Sequence, residues 1–328
     1  MPELVSILIP SYNAEHWIAE TIESALSQTW DNKEIIIVDD GSTDQTLQIA
    51  KKFESTLVKV ISQENRGANV ARNKALEFAQ GDYIQWLDAD DVLSPLKIEM
   101  QMMARGDCDA NTQVLLTSSF GKFYYHRKSA ILTPNSLWCD LDPIEWLILK
   151  FCDGVYMANM TWLVSRKLTK LAGPWDERLV RDQDGEYFCR VVSKSEKIKF
   201  IPEAESYYRQ CNPNSISRHL SEKAVESIYL AKALSIGYLR SVEDSERTRT
   251  ACLAELQRLL YYLEPGQTAI LENANALAKE LGGELYFPSL NWKYFIIEKA
   301  FDWHRVRAAQ NGVATIKQLI SRKIDKSF

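Results

Sequence analysis

The sequence predicts an α/β fold in which the first 91 residues form a mainly parallel sheet flanked by helices. Short, nearly all-apolar runs recur along this stretch, as they do in strands that are buried on both faces of a parallel sheet. A segment with apolar residues at helical spacing separates each run from the next, and one strand–helix unit takes about 25–30 residues. This alternation implies right-handed crossovers between parallel strands. The chain has 328 residues, enough for about two structural units at roughly 100–200 residues each.

The elements of this first part follow one another in order. The predicted strands are Val5–Ile9, Glu34–Val38, Leu57–Ile61 and Tyr83–Leu87. The predicted helices between them are Ala14–Gln28, Thr46–Phe53 and Ala68–Phe78. In the first of these helices, apolar residues recur every three or four positions, which is typical of a helix with one buried face.

The pattern is less regular between residues 92 and 220 and becomes helical after that. The middle part contains five predicted strands, Gln113–Ser119, Lys122–His126, Thr161–Ser165, Ile198–Ile201 and Ser206–Arg209, and two predicted helices, Pro143–Phe151 and Asp182–Val192. The first two strands are expected to pair about Gly121. The later helices are Glu222–Leu239, Ser245–Leu263 and Gln267–Leu281, with two more after Pro288. We therefore expect a domain of residues 1–220, divided near residue 91, and a helical region of residues 221–328.

Composition excludes several classes of protein. The 46% apolar and 25% charged residues are ordinary for a globular chain. A net charge of −5, from 39 basic and 44 acidic residues, argues against nucleic acid as a partner. The sequence enters a strand directly after Met-Pro-Glu, and its six cysteines lack the spacing of a zinc site or disulfide framework, so we expect a cytoplasmic protein without a signal peptide.

Polar clusters follow the predicted strands of the first part. They are Pro10–Asn13, Asp39–Ser42, Asn65–Gly67 and Asp88–Asp91, and all four are expected at one edge of the sheet, where open α/β folds bind ligands. Turn and helix-capping roles remain open for the residues that follow Gly41. Three aspartates within four residues repel one another, and a bound cation would offset this repulsion.

The nucleotide-binding loops of other α/β folds are missing. The sequence has no Gly-x-Gly-x-x-Gly after its first strand and no Gly-x-x-x-x-Gly-Lys-Ser/Thr loop, so it lacks the usual backbone cradle for phosphate. A diphosphate here would have to be held through a divalent metal and an arginine, and Asp90 with Arg72 offers that pair.

Several motifs, in this order and spacing, resemble one known family. They are VSILIPSYN at 5–13, VDDGSTD at 38–44, NRGANVARN at 65–73, GDYIQWLDADD at 81–91 and LAGPWDERLVRDQDGEYFCR at 171–190. The chain thereby resembles the inverting family 2 glycosyltransferases of bacterial polysaccharide and glycoconjugate assembly over about residues 3–218. The resemblance implies a GT-A fold, a Rossmann-like mixed sheet, with residues 1–91 binding a nucleotide sugar and residues 92–220 binding the acceptor.

The resemblance also implies roles for individual residues on the donor side. Pro10 and Tyr12 would shape the nucleotide pocket, and Asp40 would accept a hydrogen bond from the base. Arg72 would lie near the diphosphate. In the Asp-x-Asp motif, Asp88 would face the ribose or a metal-bound water.

On the metal and acceptor side, Asp90 would bind Mg²⁺ or Mn²⁺, with Asp88 beside it. Asp184 aligns with the catalytic base of the family, and Asp182 and Glu186 are alternatives. If this segment is a helix, residues 182 and 186 lie on one face and Asp184 points elsewhere. Between Arg209 and His219 the sequence has no histidine, although many relatives place one there, near the metal.

The activity that the resemblance implies is transfer of a single sugar, with inversion, from a nucleotide-sugar donor to a hydroxyl of a glycan or lipid-linked acceptor. The Gln-x-x-Arg-Trp segment of processive synthases is absent, which favours one sugar per event. Two alternatives remain: a catalytically silent nucleotide- or glycan-binding module on the same fold, and a nucleotidyltransferase, although the glycine-rich N-terminal loop of the latter is missing.

The segment 291–328 is basic and amphipathic. It carries eight basic and three acidic residues, and its apolar residues recur at helical spacing. Such a helix either packs on the catalytic domain with a solvated basic face or lies on an anionic membrane surface. The second alternative predicts a peripheral contact at the inner face of the membrane.

Overall fold

The computed structural model describes residues 2–106, 113–210, 221–263 and 267–286. The strands are β1 Val5–Ser11, β2 Lys33–Asp39, β3 Val58–Ser62, β4 Tyr83–Trp86, β5 Val92–Leu93, β6 Val114–Phe123, β7 Ile131–Leu132, β8 Leu163–Ser165 and β9 Lys197–Arg209. The helices are α1 Ile18–Leu26, α2 Thr46–Lys51, α3 Ala68–Phe78, α4 Lys97–Ala104, α5 Pro143–Asp153, α6 Arg166–Ala172, α7 Gln183–Ser193, α8 Glu222–Val242, α9 Glu246–Gln257 and α10 Thr268–Glu280.

These strands form one mixed sheet in the order β3-β2-β1-β4-β8-β6-β9-β5, with β7 paired to β6. The first four strands are parallel, as predicted, and β1 lies between β2 and β4 with all seven of its residues buried. β8 runs antiparallel to β4, and β9 runs parallel to β6. The carboxyl ends of β1, β2 and β4 therefore meet at one edge, and the polar clusters follow them there.

Two predictions for the middle part are wrong. The pair of strands expected about Gly121 is a single strand, β6, because Gly121 does not turn but pairs with Leu132 and Tyr207 on either side. A Cβ on Gly121 would lie 3.1 Å from the Cβ of Ala130, so the missing side chain serves a close approach. The two strands expected at 198–201 and 206–209 are likewise one strand, β9.

The strand β9 leaves the ladder in its middle rather than ending there. Its pairing with β6 shifts between Ser118 and Phe120, which are opposite Ile201 and Ser206 respectively. Pro202 falls in the unpaired interval, where a residue without an N–H removes no ladder hydrogen bond. The turn-like composition of this interval therefore marks an irregularity in one strand.

The helical region is confirmed as far as the structure describes it. Helix α8 begins after Ser221, whose hydroxyl accepts a hydrogen bond from the Ala224 N–H at 3.2 Å, a typical N-cap. Helix α8 packs on α7 and α9 packs on α5, and their apolar residues join the same core as the sheet. The predicted helices after Pro288 and the segment 291–328 lie outside the described residues. Of the described helices, none is both long enough and apolar enough to span a bilayer.

Candidate active site

A cavity of about 790 Å³ opens at the carboxyl edge of the sheet. Every residue that the sequence predicts for the site lines it: Pro10, Tyr12, Asp40, Arg72, Asp88, Asp90 and Asp184. Helices α5, α8 and α9 complete its wall. Residues on both sides of position 91 and residues of the helices after position 220 therefore share the cavity.

Asp40, directly after β2, organises the loop that leads into α3. Its Oδ1 accepts hydrogen bonds from the Gln63 side chain at 2.7 Å and the Arg66 N–H at 2.9 Å, and its Oδ2 accepts one from the Gly67 N–H at 2.8 Å. The next residue, Gly41, has φ +70°, and a Cβ there would lie 2.7 Å from the Asn65 nitrogen. A carboxylate can accept about four hydrogen bonds, so these three leave Asp40 one further site.

Arg72 is a buried cation that connects the loop after β4 to the start of α7. Its Nη2 donates to Asp88 Oδ1 at 3.0 Å, and its Nη1 donates to Asn69 at 3.0 Å and to Gln183 Oε1 at 3.2 Å. The guanidinium lies over the Trp175 ring, 4.4 Å from its centroid, a favourable cation–π arrangement. The charge of Arg72 is thus held at a fixed place beside the aspartates.

The three aspartates after β4 have different surroundings. Asp88 Oδ1 also accepts a hydrogen bond from Asn159 at 3.1 Å. Asp91 is only 1% exposed and accepts a hydrogen bond from the Arg209 N–H at 2.9 Å. Burial, followed by the neighbouring Asp90 and Asp88 charges, raises the pKa of Asp91 well above its usual range. Asp91 therefore joins β9 to the site loop, and Asp88 and Asp90 line the cavity beside it.

This donor set fits a divalent cation that arrives with a phosphate ligand. Within the described ranges, no group of three or more His, Cys, Asp or Glu side chains is arranged to hold a metal ion. Mg²⁺ in nucleotide sites needs fewer, since it is commonly bound by one or two carboxylates together with substrate phosphates and water. Asp88 and Asp90 supply that number of carboxylates to the cavity.

In the acidic segment at the start of α7, residues 182 and 186 do not share a helix face as the sequence predicted. Asp182 is the N-cap of α7 and has φ +56°, so it does not share a helix face with Glu186. Asp182 and Asp184 both line the cavity, and Glu186 does not. Gly185 leaves room for this arrangement, because a Cβ there would lie 2.2 Å from Asp182 Oδ1.

Glu186 instead lies on the other side of α7. It is buried, accepts hydrogen bonds from Arg190 Nε at 2.8 Å and from the Tyr238 hydroxyl at 2.6 Å, and lines a separate cavity of about 830 Å³. The Tyr238 hydrogen bond joins α7 to α8, and the Arg190 contact lies within α7. They leave Asp182 and Asp184 as the carboxylates of this segment that face the main cavity.

The electrostatic surroundings of these two aspartates differ. Partial burial raises the pKa of Asp184, and the Arg72 charge opposes the shift while that of Asp88 adds to it. Partial burial also raises the pKa of Asp182, opposed mainly by Lys232 and Lys150. Arg72 and Asp88 are therefore the charges that act most on Asp184, and Lys232 and Lys150 those that act most on Asp182.

Comparison with known proteins agrees with this geometry. A family model described as glycosyl transferase family 2 matches residues 6–161. Over 237 residues, 71% of this chain and 88% of the relative, the chain is 32% identical to the Escherichia coli enzyme WfaP, named UDP-Glc:alpha-D-GlcNAc-diphosphoundecaprenol beta-1,3-glucosyltransferase. The chain belongs to glycosyltransferase family 2. This confirms the predictions that the chain is a member of this family and that it is a glycosyltransferase.

A second relative matches this family 2 glycosyltransferase over a shorter stretch, and a solved structure shares its fold. WfgD of E. coli, which bears the same activity name as WfaP, is 40% identical over 141 residues, 41% of this chain and 54% of that one. The structure of Staphylococcus aureus TarS 1–349 in complex with UDP-GlcNAc superposes with a TM-score of 0.60 at 18% identity, covering 84% of this chain and 88% of that one. The fold class predicted from the sequence is thereby confirmed.

One part of this glycosyltransferase's cavity has no signal in the sequence. Lys150 on α5, Lys232 on α8, and Glu255 and Arg258 at the end of α9 line it together. More than eighty residues separate Lys150 from Lys232, and no motif joins them. Only the packing of the helical region on α5 and α7 brings these charges to the site.

Proposed function

We propose that this glycosyltransferase transfers a single sugar, with inversion, from a uridine diphosphate sugar to a hydroxyl of a lipid-linked or glycan acceptor. One observation carries the proposal: a single cavity is lined at one end by Asp40, Arg72, Asp88 and Asp90 and, next to them, by Asp184. The name of WfaP specifies a UDP-sugar donor and a diphosphoundecaprenol-linked acceptor, and TarS was crystallised with UDP-GlcNAc. Both observations support this choice of substrates.

The donor would bind across the strand ends. Pro10 and Tyr12 would line the nucleotide, and the remaining acceptor site on Asp40 would receive the N–H of the base. Arg72 would lie beside the diphosphate. Asp90 and Asp88 would hold Mg²⁺ or Mn²⁺, which when bound stabilises the negative charge of the departing diphosphate.

Asp184 would act as the general base, with Asp182 as the second candidate. A sugar hydroxyl is a weak nucleophile, so a carboxylate must accept its proton as the oxygen attacks C1 of the donor. The new bond joins the acceptor oxygen to C1, the bond from C1 to the phosphate oxygen breaks, and the nucleoside diphosphate leaves with those electrons. A single displacement of this kind inverts the anomeric centre. The raised pKa of Asp184 makes it a better proton acceptor than an ordinary aspartate.

The proposed substrates also bear on location. Nucleotide sugars and the inner face of the membrane meet in the cytoplasm, so we infer that the enzyme works there. The segment 291–328 would provide the membrane contact if it does not pack on the catalytic domain. Sedimentation of full-length protein, and of protein lacking residues 291–328, with anionic liposomes at low salt distinguishes these alternatives. If full-length protein never sediments with the liposomes, the membrane contact is excluded.

The donor assignment is tested by thermal unfolding with a panel of nucleoside diphosphates and nucleotide sugars, each with and without Mn²⁺. A ligand that binds only the folded state stabilises it by about 2.7 kcal/mol at a hundredfold excess over Kd. We expect stabilisation by uridine diphosphate compounds that depends on Mn²⁺. Stabilisation by a different nucleotide would contradict the choice of base, and no stabilisation by any would contradict the proposed function.

A further inference from the structure

The wall of the cavity that α5, α8 and α9 supply contains a group of charged side chains that the proposed chemistry does not use. We call it the lysine pocket: Lys150, Lys232, Glu255 and Arg258. Lys232 and Glu255 are 6% and 4% exposed. Three cations therefore surround one carboxylate in a wall that is largely shielded from water. Such charges are costly unless they are paired.

Two of the three cations, Lys232 and Arg258, form hydrogen bonds with Glu255 or with carbonyl groups at the end of α5. Glu255 Oε1 accepts a hydrogen bond from Lys232 Nζ at 2.6 Å, and its Oε2 accepts one from Arg258 Nη1 at 3.0 Å. The Arg258 guanidinium also donates to the carbonyls of Phe151 and Cys152 at the C-terminus of α5. Its charge thus stabilises that helix end, where carbonyl groups lack helical partners.

Lys150 is left with the weakest pairing. Its side chain is 11% exposed, and its one ion pair within the described ranges joins Nζ to Glu255 Oε1 at 3.9 Å, which is too long for a hydrogen bond. In the same ranges the Nζ donates no hydrogen bond to any protein acceptor. An ammonium group has three donors, so this wall of the cavity presents positive charge and unused N–H groups.

The lysine pocket is built from other elements than the predicted donor end. Lys150 lies on α5, Lys232 on α8, Glu255 on α9 and Arg258 directly after it, whereas the donor-side residues lie at or after the ends of β1, β2 and β4 or on α3. An anion held by Lys150 and Lys232 would therefore contact other side chains than a diphosphate held through Arg72, Asp88 and Asp90.

We propose that Lys150 and Lys232 bind a phosphate or diphosphate group of the acceptor, attached next to the sugar that receives the transferred residue. This inference rests on the proposed function, because it assigns the lysine pocket to the acceptor of that reaction. The required chemistry is an anion with several acceptor oxygens, which fills the unused donors of Lys150. A lipid-linked sugar diphosphate and a soluble sugar phosphate both carry such a group.

The test measures binding of the anionic group without any sugar. The probes are a water-soluble phenoxyalkyl diphosphate, the neutral phenoxyalkanol of the same length and inorganic pyrophosphate, each titrated calorimetrically into full-length protein in EDTA. Chelation removes the cation through which the donor end would hold a diphosphate. We expect the phenoxyalkyl diphosphate to bind and the neutral alcohol not to bind. Pyrophosphate binding as tight as that of the phenoxyalkyl probe would indicate a soluble acceptor, and tighter binding with longer alkyl chains a lipid-linked one.

Matched variants assign the binding. Lys150→Met and Lys232→Met should each weaken the phenoxyalkyl diphosphate at least tenfold, and Lys170→Met, an exposed lysine on α6 outside this cavity, should not. Lys150→Met leaves Glu255 paired to Lys232 and Arg258, so it carries the test if Lys232→Met does not fold. Unchanged binding in Lys150→Met, or displacement of the probe by uridine diphosphate with Mn²⁺, overturns the inference. The nucleotide-dependent thermal shift reports separately on the proposed function, since it should survive in both lysine variants.

Discussion

Arg72 Nη1 lies 3.2 Å from Gln183 Oε1, so a guanidinium on α3 holds the first residue of the helix that carries Asp184. The other end of the same fork donates to Asp88. Arg72 thus joins the aspartate loop after β4 to the helix that carries the proposed base. A change at Arg72 should therefore affect both.

Replacing Arg72 with lysine should lower kcat/KM for transfer at least a hundredfold. Lysine keeps the charge, but its single ammonium cannot reproduce a planar fork that reaches Asn69, Asp88 and Gln183 together. Steady-state kinetics with thermal unfolding measure the change. Arg178→Lys is the control, because Arg178 is exposed and pairs only with nearby Asp176 among the interactions described for it. Equal effects of the two substitutions would contradict the bridging role.

Asp184→Asn should lower the transfer rate by about 10²–10⁴-fold, the usual contribution of a general base, while the nucleotide-dependent thermal shift is retained. Asp182→Asn is the comparison, since both carboxylates line the cavity. A larger loss in Asp182→Asn would transfer the role to that residue.

The same residue predicts a pH dependence. A raised pKa keeps Asp184 protonated, and so unable to accept a proton, at pH values where an ordinary aspartate is already ionised. The rate should therefore rise with pH, with its midpoint above about 3.9, the ordinary aspartate value. A pH–rate profile whose rise has its midpoint at or below that value would contradict the assignment of Asp184 as the base.

Glu186→Gln should lower stability and leave the chemistry intact. Glu186 makes its hydrogen bonds to Arg190 and Tyr238 outside the main cavity, and loss of a hydrogen bond to a charged group costs about 2 kcal/mol. Urea unfolding and the single-turnover transfer rate measure the two effects. Glu77→Gln, at an exposed residue of α3, is the control for stability. A hundredfold loss of transfer rate in folded Glu186→Gln would restore Glu186 as a candidate base.

Asp90→Asn should abolish the metal-dependent part of nucleotide binding. The amide keeps the size of the side chain but removes the charge that Mg²⁺ or Mn²⁺ requires. In the thermal unfolding assay, Mn²⁺ should no longer increase the shift that a nucleoside diphosphate produces, and EDTA should have the same effect on the unaltered protein. A variant that responds to Mn²⁺ as before would exclude Asp90 as a ligand.

Lys97 predicts a pH dependence of stability away from the site. It is fully buried, and its Nζ donates to Gln85 Oε1; burial lowers the pKa of Lys97 well below its usual value of about 10.5. The unfolded chain then binds more protons than the folded one between the lowered pKa and 10.5, so this residue's contribution makes stability rise with pH over that window.

The variant Lys97→Met tests this sign. Its free energy of unfolding, measured with urea at several pH values, should rise less steeply toward alkaline pH than that of the unaltered protein. The slope is the readout, because the substitution also leaves Gln85 Oε1 without its partner. Parallel slopes would mean that Lys97 remains charged in the folded state.

The donor side of the site could be predicted because its signals are local. Each polar cluster follows its own apolar strand, and parallel pairing fixes where the ends of β1, β2 and β4 meet. The orientation of the acidic segment was harder to predict. Residues four positions apart lie on one face only inside a helix, and Asp182 lies at the N-cap of α7 in a left-handed conformation. The turn predicted at Gly121 was wrong for a similar reason. Glycine occurs both in turns and where two segments approach closely, and the sequence alone does not distinguish these cases.

The lysine pocket could not be predicted at all. Lys150 and Lys232 belong to helices whose residues read as ordinary amphipathic surface, and their meeting depends on how α8 and α9 pack against α5 and α7. Tertiary packing of this kind leaves no spacing pattern in the chain.

The shared wall of the cavity also sets an order of events during synthesis. The strand ends and Asp184 lie within the first 210 residues, whereas Lys232, Glu255 and Arg258 leave the ribosome later. Because domains of a nascent chain fold from the N-terminus onward, the donor end can form before the cavity is closed on its other side. The newly made enzyme would thus acquire its nucleotide-binding end first, and its capacity to receive an acceptor only once translation has passed α9.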